Sequence, residues 1–180
     1  MWYNVVNGYT VYLLNCKGDD IMEKELRSHC CCFFGHRRII ESAELIERLR
    51  QTVVNLICTR GVDTFLFGSR SEFDTLCHKV VSELRITHPH IKRIYVRAEF
   101  PYINKNYTDY LLEHYERTYY PERILNAGKS AYVERNYEMI DNSDYCVIYF
   151  DENYSARKSG TKIAHDYAIR KKLSIYNLAN

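Results

Sequence analysis

Residues 62–74 constrain this chain more than any other stretch. They read Val62-Asp63-Thr64-Phe65-Leu66-Phe67-Gly68-Ser69-Arg70-Ser71-Glu72-Phe73-Asp74. An apolar, strand-favouring run from Thr64 to Phe67 stops at Gly68. The three- and four-residue spacing of Phe73, Leu76, Cys77, Val80, Val81 and Leu84 then predicts a helix. Strand, glycine turn and helix in succession turn backbone N–H groups toward one point, which suits an anion. Glycine lets a ligand approach the backbone closely. Ser69 and Ser71 are placed to cap the helix or bond a phosphate, and Arg70 brings a planar fork that matches one. The competing reading is an ordinary βα turn with a capped helix. The rest of the chain has to decide.

The pattern recurs. A strand over residues 29–34 ends at Gly35-His36-Arg37-Arg38, and Ser42 caps a predicted helix through Leu45, Leu49, Val53 and Leu56 that Gly61 closes. A third strand near 92–96 ends in Arg97 and Glu99. Residues 100–130 are irregular, with a short predicted helix over 107–115 and an extended segment before Pro121. A helix resumes through Tyr132, Val133, Tyr137 and Ile140, with Arg135 and Asn136 on another face, and a strand follows at 145–150. Past a polar loop at 151–158, Ser159-Gly160-Thr161 opens a further helix, and the last strand is 174–178. Such alternation predicts an α/β fold, one mainly parallel five-stranded sheet with helices on both faces. Ligands in such sheets sit outside the carboxyl ends of the strands. The predicted domain spans residues 29–180. Residues 1–28, where Gly8 interrupts a tyrosine-rich apolar run and Gly18-Asp19-Asp20 reads as a turn, predict a peripheral extension, extra strand or hairpin.

Composition narrows the function classes. A chain of 180 residues with 46% hydrophobic and 27% charged residues is an ordinary globular domain with a real core. Its formal net charge of +2, with both signs interleaved, argues against nucleic acid as a partner while leaving a small anionic ligand open. Seventeen tyrosines exceed what a core needs, so some are available to stack on a ring. Seven cysteines suggest disulfides at first. However, Cys30, Cys31 and Cys32 alternate faces of one strand, and Cys58, Cys77 and Cys146 fall in apolar patterns. With no secretory signal, no CxxC pair and no membrane-length apolar run, free thiols and a cytoplasmic location are expected. His88 and His90 lie two apart in a proline turn, and no set has zinc-ligand spacing, so neither metal nor cofactor is expected.

Four motifs in order carry a resemblance. Gly35-His36-Arg37 after a strand, residues 68–74, Asn136 with residues 139–144, and Ser159-Gly160-Thr161 together resemble the SLOG superfamily, which includes DNA-processing and LOG cytokinin-activating branches. The match is nearest to its small bacterial YpsA-like branch and covers roughly residues 25–178. The resemblance implies a Rossmann-like three-layer domain, a pocket for a nucleotide-derived ligand, and a homodimer as the assembly common in such relatives. Gly68, Ser69 and Asp74 match the glycine-turn motif, and Gly160 and Thr161 match the phosphate loop. LOG enzymes carry a catalytic glutamate three residues after that threonine, where this chain has Ala164. A methyl group cannot stabilise an oxocarbenium-like transition state, which counts against that activity.

The expected function is binding of a nucleotide or nucleotide-derived small molecule, sensed or sequestered by phosphate-binding helix N-termini after Gly68 and Ser159. Arg37 and Arg70 would supply counter-charge, with Gly35, His36 and Asn136 beside them, and Phe73 or a tyrosine would stack on the base. The alternative is an N-glycosidic hydrolase or deoxyribosyltransferase using Glu72 or Asp74. Single-stranded DNA binding is a third reading, disfavoured by the near-neutral charge.

Overall fold

Buried on both sides, the run Cys30–Gly35 is the strand about which the sheet is built. In the computed structural model, residues 29–100, 106–153 and 159–179 are described, together with 5–6 and 9–10. In chain order the elements are β1 (Val5–Val6), β2 (Tyr9–Thr10), β3 (Cys30–Gly35), α1 (Ala43–Arg60), β4 (Thr64–Phe67), α2 (Glu72–Thr87) and β5 (Lys92–Val96). They continue with α3 (Tyr107–Leu112), β6 (Arg117–Tyr119), α4 (Ala131–Asp141), β7 (Tyr145–Tyr149), α5 (Gly160–Arg170) and β8 (Ser174–Asn177). The main sheet runs β6-β5-β4-β3-β7-β8 with every pairing parallel. Strands β1 and β2 form a separate antiparallel pair, Val5 opposite Thr10. The expected turn at residues 18–20 lies outside the described residues.

The sheet has six strands, not the five expected from the sequence. The addition, β6, is a three-residue edge strand of half-exposed and polar side chains, too short to show a periodicity. Its register is set by its neighbour: Glu116 N donates to Arg93 O at 2.9 Å, and Glu116 Oε2 accepts from Arg93 N at 2.7 Å.

Strand alternation divides the core. Cys31, Phe33, Phe65 and Phe67 face Leu49 and Val53 of α1 and Phe73, Cys77 and Val81 of α2. Cys32, Phe34, Leu66 and Ile148 face Met139 and Ile140 of α4 and Ala164 and Ala168 of α5. Central parallel strands are covered on both faces, which is why they read as continuous apolar runs. Helix ends follow the sequence signals. Ser42, Ser71 and Ser159 accept hydrogen bonds from Leu45 N, Asp74 N and Lys162 N at 3.0–3.1 Å, and Gly61 closes α1 at a φ of 69°. The six cysteines among the described residues are free, and burial pushes the thiols of Cys31 and Cys77 well above their usual range.

Candidate functional site: a pocket at the switch point of the sheet

Chain order reverses between β3 and β7, since β4 and β5 run outward on one side and β8 on the other. At such a point the loops leaving adjacent strands diverge to opposite faces and open a crevice. The crevice here is a pocket of about 880 Å³, lined by residues that follow β3, β4 and β7.

Three loops form its floor and are tied to one another. After β3, His36 is buried, and its Nε2 accepts from Asp151 N at 3.0 Å, linking the ends of β3 and β7. Arg37 is exposed at the rim. Glu72 N donates to Arg37 O at 3.0 Å, while Glu72 Oε2 accepts from Ile39 N at 2.9 Å. Thr161 Oγ1 donates to Gly35 O at 2.9 Å and pins the start of α5 onto the end of β3. These bonds commit several groups that the sequence offered for phosphate. Ser159 Oγ caps α5, Thr161 Oγ1 is held by Gly35, and Ser69 Oγ donates to Ser71 Oγ at 2.9 Å. What remains is backbone: the first N–H groups of α5, at Gly160 and Thr161, have no hydrogen-bond partner among the described residues.

Two glycines earn their place by steric need. A Cβ at Gly35 would overlap the side chain of Phe73, and one at Gly68 would fall 2.7 Å from Arg135 Nη1, 2.8 Å from its Cδ and 2.9 Å from Met139 Sδ. Gly68 thus lets a guanidinium lie under the β4 turn. Arg135 is only 5% exposed, and its one hydrogen bond among the described residues runs from Nε to Asn136 Oδ1 at 2.9 Å. Its remaining donors are left to the pocket it lines. Burial lowers its pKa, opposed by Tyr95 and by the charge of Asp74. Arg135 is absent from the residues expected at the site. The signal for it is present nonetheless: Ala131, Arg135 and Met139 recur four apart, which puts the arginine on the buried stripe of α4.

Gly35, His36, Arg37, Gly68, Ser69, Arg70, Asn136, Ser159, Gly160 and Thr161 all line this one pocket. Phe73 does not. It is fully buried against Tyr149, with ring centroids 5.7 Å apart, so it belongs to the core and cannot stack on a base. The rings that do line the pocket are Tyr95, Phe100, Tyr107 and Tyr132. Glu72 faces the loop after β3 and is not among the lining residues. Asp74 is buried beside the pocket; burial pushes its carboxyl up to about 7 against the pull of Arg135. Ala164 is fully buried between α5 and the sheet, so this position faces the core rather than the pocket. The residues before Ser159, 154–158, lie outside the described part. Among the described residues no cluster of three or more His, Cys, Asp or Glu side chains is arranged for a metal ion, and no helix is long and apolar enough to cross a membrane.

No protein-family profile and no curated protein sequence matches this chain. Among solved structures, DNA processing protein A from Helicobacter pylori, described for a unique single-stranded DNA binding mode, is similar. The TM-score is 0.53 and the identity 14%, over 86% of this chain and 66% of that one. The likeness is one of fold. It agrees with the SLOG resemblance at the level of a Rossmann-like α/β architecture. It also corrects the expectation drawn from the near-neutral net charge, that nucleic acid is not a partner: a protein with this fold binds single-stranded DNA. Net charge averages over a surface and does not register a few arginines gathered at one pocket.

Proposed function

We propose that the pocket binds a nucleotide unit by its phosphate and that the unit belongs to single-stranded DNA. The observation that carries this reading is Arg135, a buried cation opening into a pocket that also receives the first N–H groups of α5. A buried guanidinium is costly unless an anion or hydrogen-bond acceptors complete it. Helix N-termini favour phosphate by the same sign of field. Arg37 and Arg70, both exposed at the rim, add counter-charge. Presentation within a strand is favoured by the exposed rings of Phe100 and Tyr132 beside the pocket and by the partner described for the structural neighbour.

A second reading keeps the ligand as a free nucleotide, sensed or sequestered. It is favoured by a concavity whose size is that of small-molecule sites. Fluorescence anisotropy separates the two. A labelled single-stranded oligodeoxynucleotide is expected to bind, with affinity falling as salt rises. A deoxynucleoside 5′-monophosphate is expected to displace it at higher concentration, and the phosphate-free deoxynucleoside to fail. Monophosphate binding as tightly as the oligonucleotide would favour the free ligand. An unphosphorylated nucleoside competing equally well would remove phosphate from the reading altogether.

A further inference from the structure

Behind Arg70 lies a second cavity of about 700 Å³, and it shares Ser69, Arg70, Tyr95 and Tyr107 with the first. The two pockets therefore adjoin at these four residues. Its walls are rings. Tyr95 and Tyr115 have centroids 5.2 Å apart, Tyr95 and Tyr107 6.2 Å apart, and His78 packs on Tyr115 at 4.6 Å. Asp74 also lines this cavity, is 2% exposed, and has an Oδ1 without a hydrogen-bond partner. A buried carboxyl oxygen that accepts no hydrogen bond from the protein is costly unless another donor meets it. The cavity it lines has the flat aromatic walls that suit a flat aromatic guest.

On the reading that a nucleotide unit occupies the first pocket, we propose that this second cavity holds its base and that Asp74 Oδ1 accepts a hydrogen bond from an exocyclic amino group. The guests that satisfy it are cytosine, adenine and guanine. Thymine and uracil offer no amino group. Their one donor on that edge, N3–H, sits between two carbonyl oxygens that a carboxylate repels. Arg70 stands where sugar and phosphate would leave the base, with its guanidinium over the Tyr107 ring at 5.1 Å. The cavity thereby makes one of the bound units selective, while the phosphate contacts remain indifferent to sequence.

The pyrimidines give the cleanest test, because cytosine and thymine match in size and differ at position 4. Anisotropy titrations at pH 8.5, where Asp74 is ionised, should show oligo-dC binding about tenfold more tightly than oligo-dT. An oligonucleotide of N4,N4-dimethylcytosine, which keeps the ring and lacks the amino hydrogens, should lose that advantage on the unaltered protein. Asp74→Asn, verified as folded by its melting curve, presents an amide that can donate to thymine O4 as well as accept from cytosine, so the ratio should fall toward one. Equal binding of oligo-dC and oligo-dT would overturn the base assignment and leave the phosphate reading standing. A preference that survives with the dimethylated base, or in Asp74→Leu verified as folded, would overturn Asp74 as the reader. Binding of neither strand would remove both proposals together.

Discussion

Replacing Asp74 by asparagine should change how the fold responds to pH. Burial raises this carboxyl from 3.8 to about 7, with Arg135 and the N–H groups of Ser69 and Gly68 pulling the other way. A carboxyl whose pKa is higher in the fold than in the unfolded chain favours the folded state fully only below 3.8. That support is lost as pH rises toward about 7 and is constant beyond it. Three units correspond to roughly 4 kcal/mol in all, of which about 2–3 kcal/mol falls between pH 5 and pH 8. In a chain of this length that is about 5–10 °C in Tm. Asparagine does not titrate. The Tm of Asp74→Asn minus that of the native protein should therefore grow by this amount from pH 5 to pH 8. The other groups near Asp74 do not mimic the effect. Arg135 stays charged, and burial holds the Tyr95 and Tyr115 hydroxyls neutral. Burial also lowers the pKa of His78, which favours its neutral form. Losing the counter-charge of Arg135 shifts the offset between the two proteins but not its slope with pH. Thermal melts in matched buffers measure it. A difference that is flat, or that shrinks as pH rises, would refute the account of Asp74 as a carboxyl whose pKa burial pushes up to about 7.

Other substitutions probe the loops and the rim. Gly35→Ala drives a methyl group into Phe73 and should cost about 1–3 kcal/mol, read as a Tm lowered by several degrees. Gly160→Ala meets no atom within 4 Å among the described residues and begins a helix, so stability should hold or rise by about 0.4–1 kcal/mol. A clear fall in its Tm would show that the start of α5 is not open. Arg70→Ala removes an exposed side chain that rests on Tyr107 and should leave the ligand-free melt nearly unchanged. If Arg70 meets phosphate at about 1.5–3 kcal/mol, oligonucleotide affinity should fall about tenfold to a hundredfold, and Arg70→Lys should recover part of it. A destabilised Arg70→Ala protein that binds fully would take Arg70 out of the site.

The strand-turn-helix units were legible because each rests on local chemistry. Ser42, Ser71 and Ser159 cap helices where their hydroxyls predict, and the runs beginning at Cys30, Thr64 and Tyr145 are apolar on both faces because helices cover both. Strand β6 was not legible, since its pairing is supplied by Arg93 and Glu116 across the edge rather than by its own residues. At the site, the loops and most of their lining residues could be read from spacing. Phe73, expected to stack on a base, stands in step with Leu76, Cys77 and Val80, the stripe that faces the core. Arg135 escapes notice for the converse reason: a charged residue inside a helix is ordinarily solvated. Only the opposed Gly68, contributed by an element 67 positions away, makes room to bury it.

That opposition ties the history of two positions together. With this backbone, any side chain at 68 larger than hydrogen collides with the arginine at 135 and the methionine at 139. A lineage can exchange the glycine only after both of those side chains have drawn back or become smaller. If 135 yields first, the pocket loses its deepest cation before the turn above it gains anything. Related chains are therefore expected to fall into two groups, one with glycine and arginine together and one with neither, and intermediates should be rare.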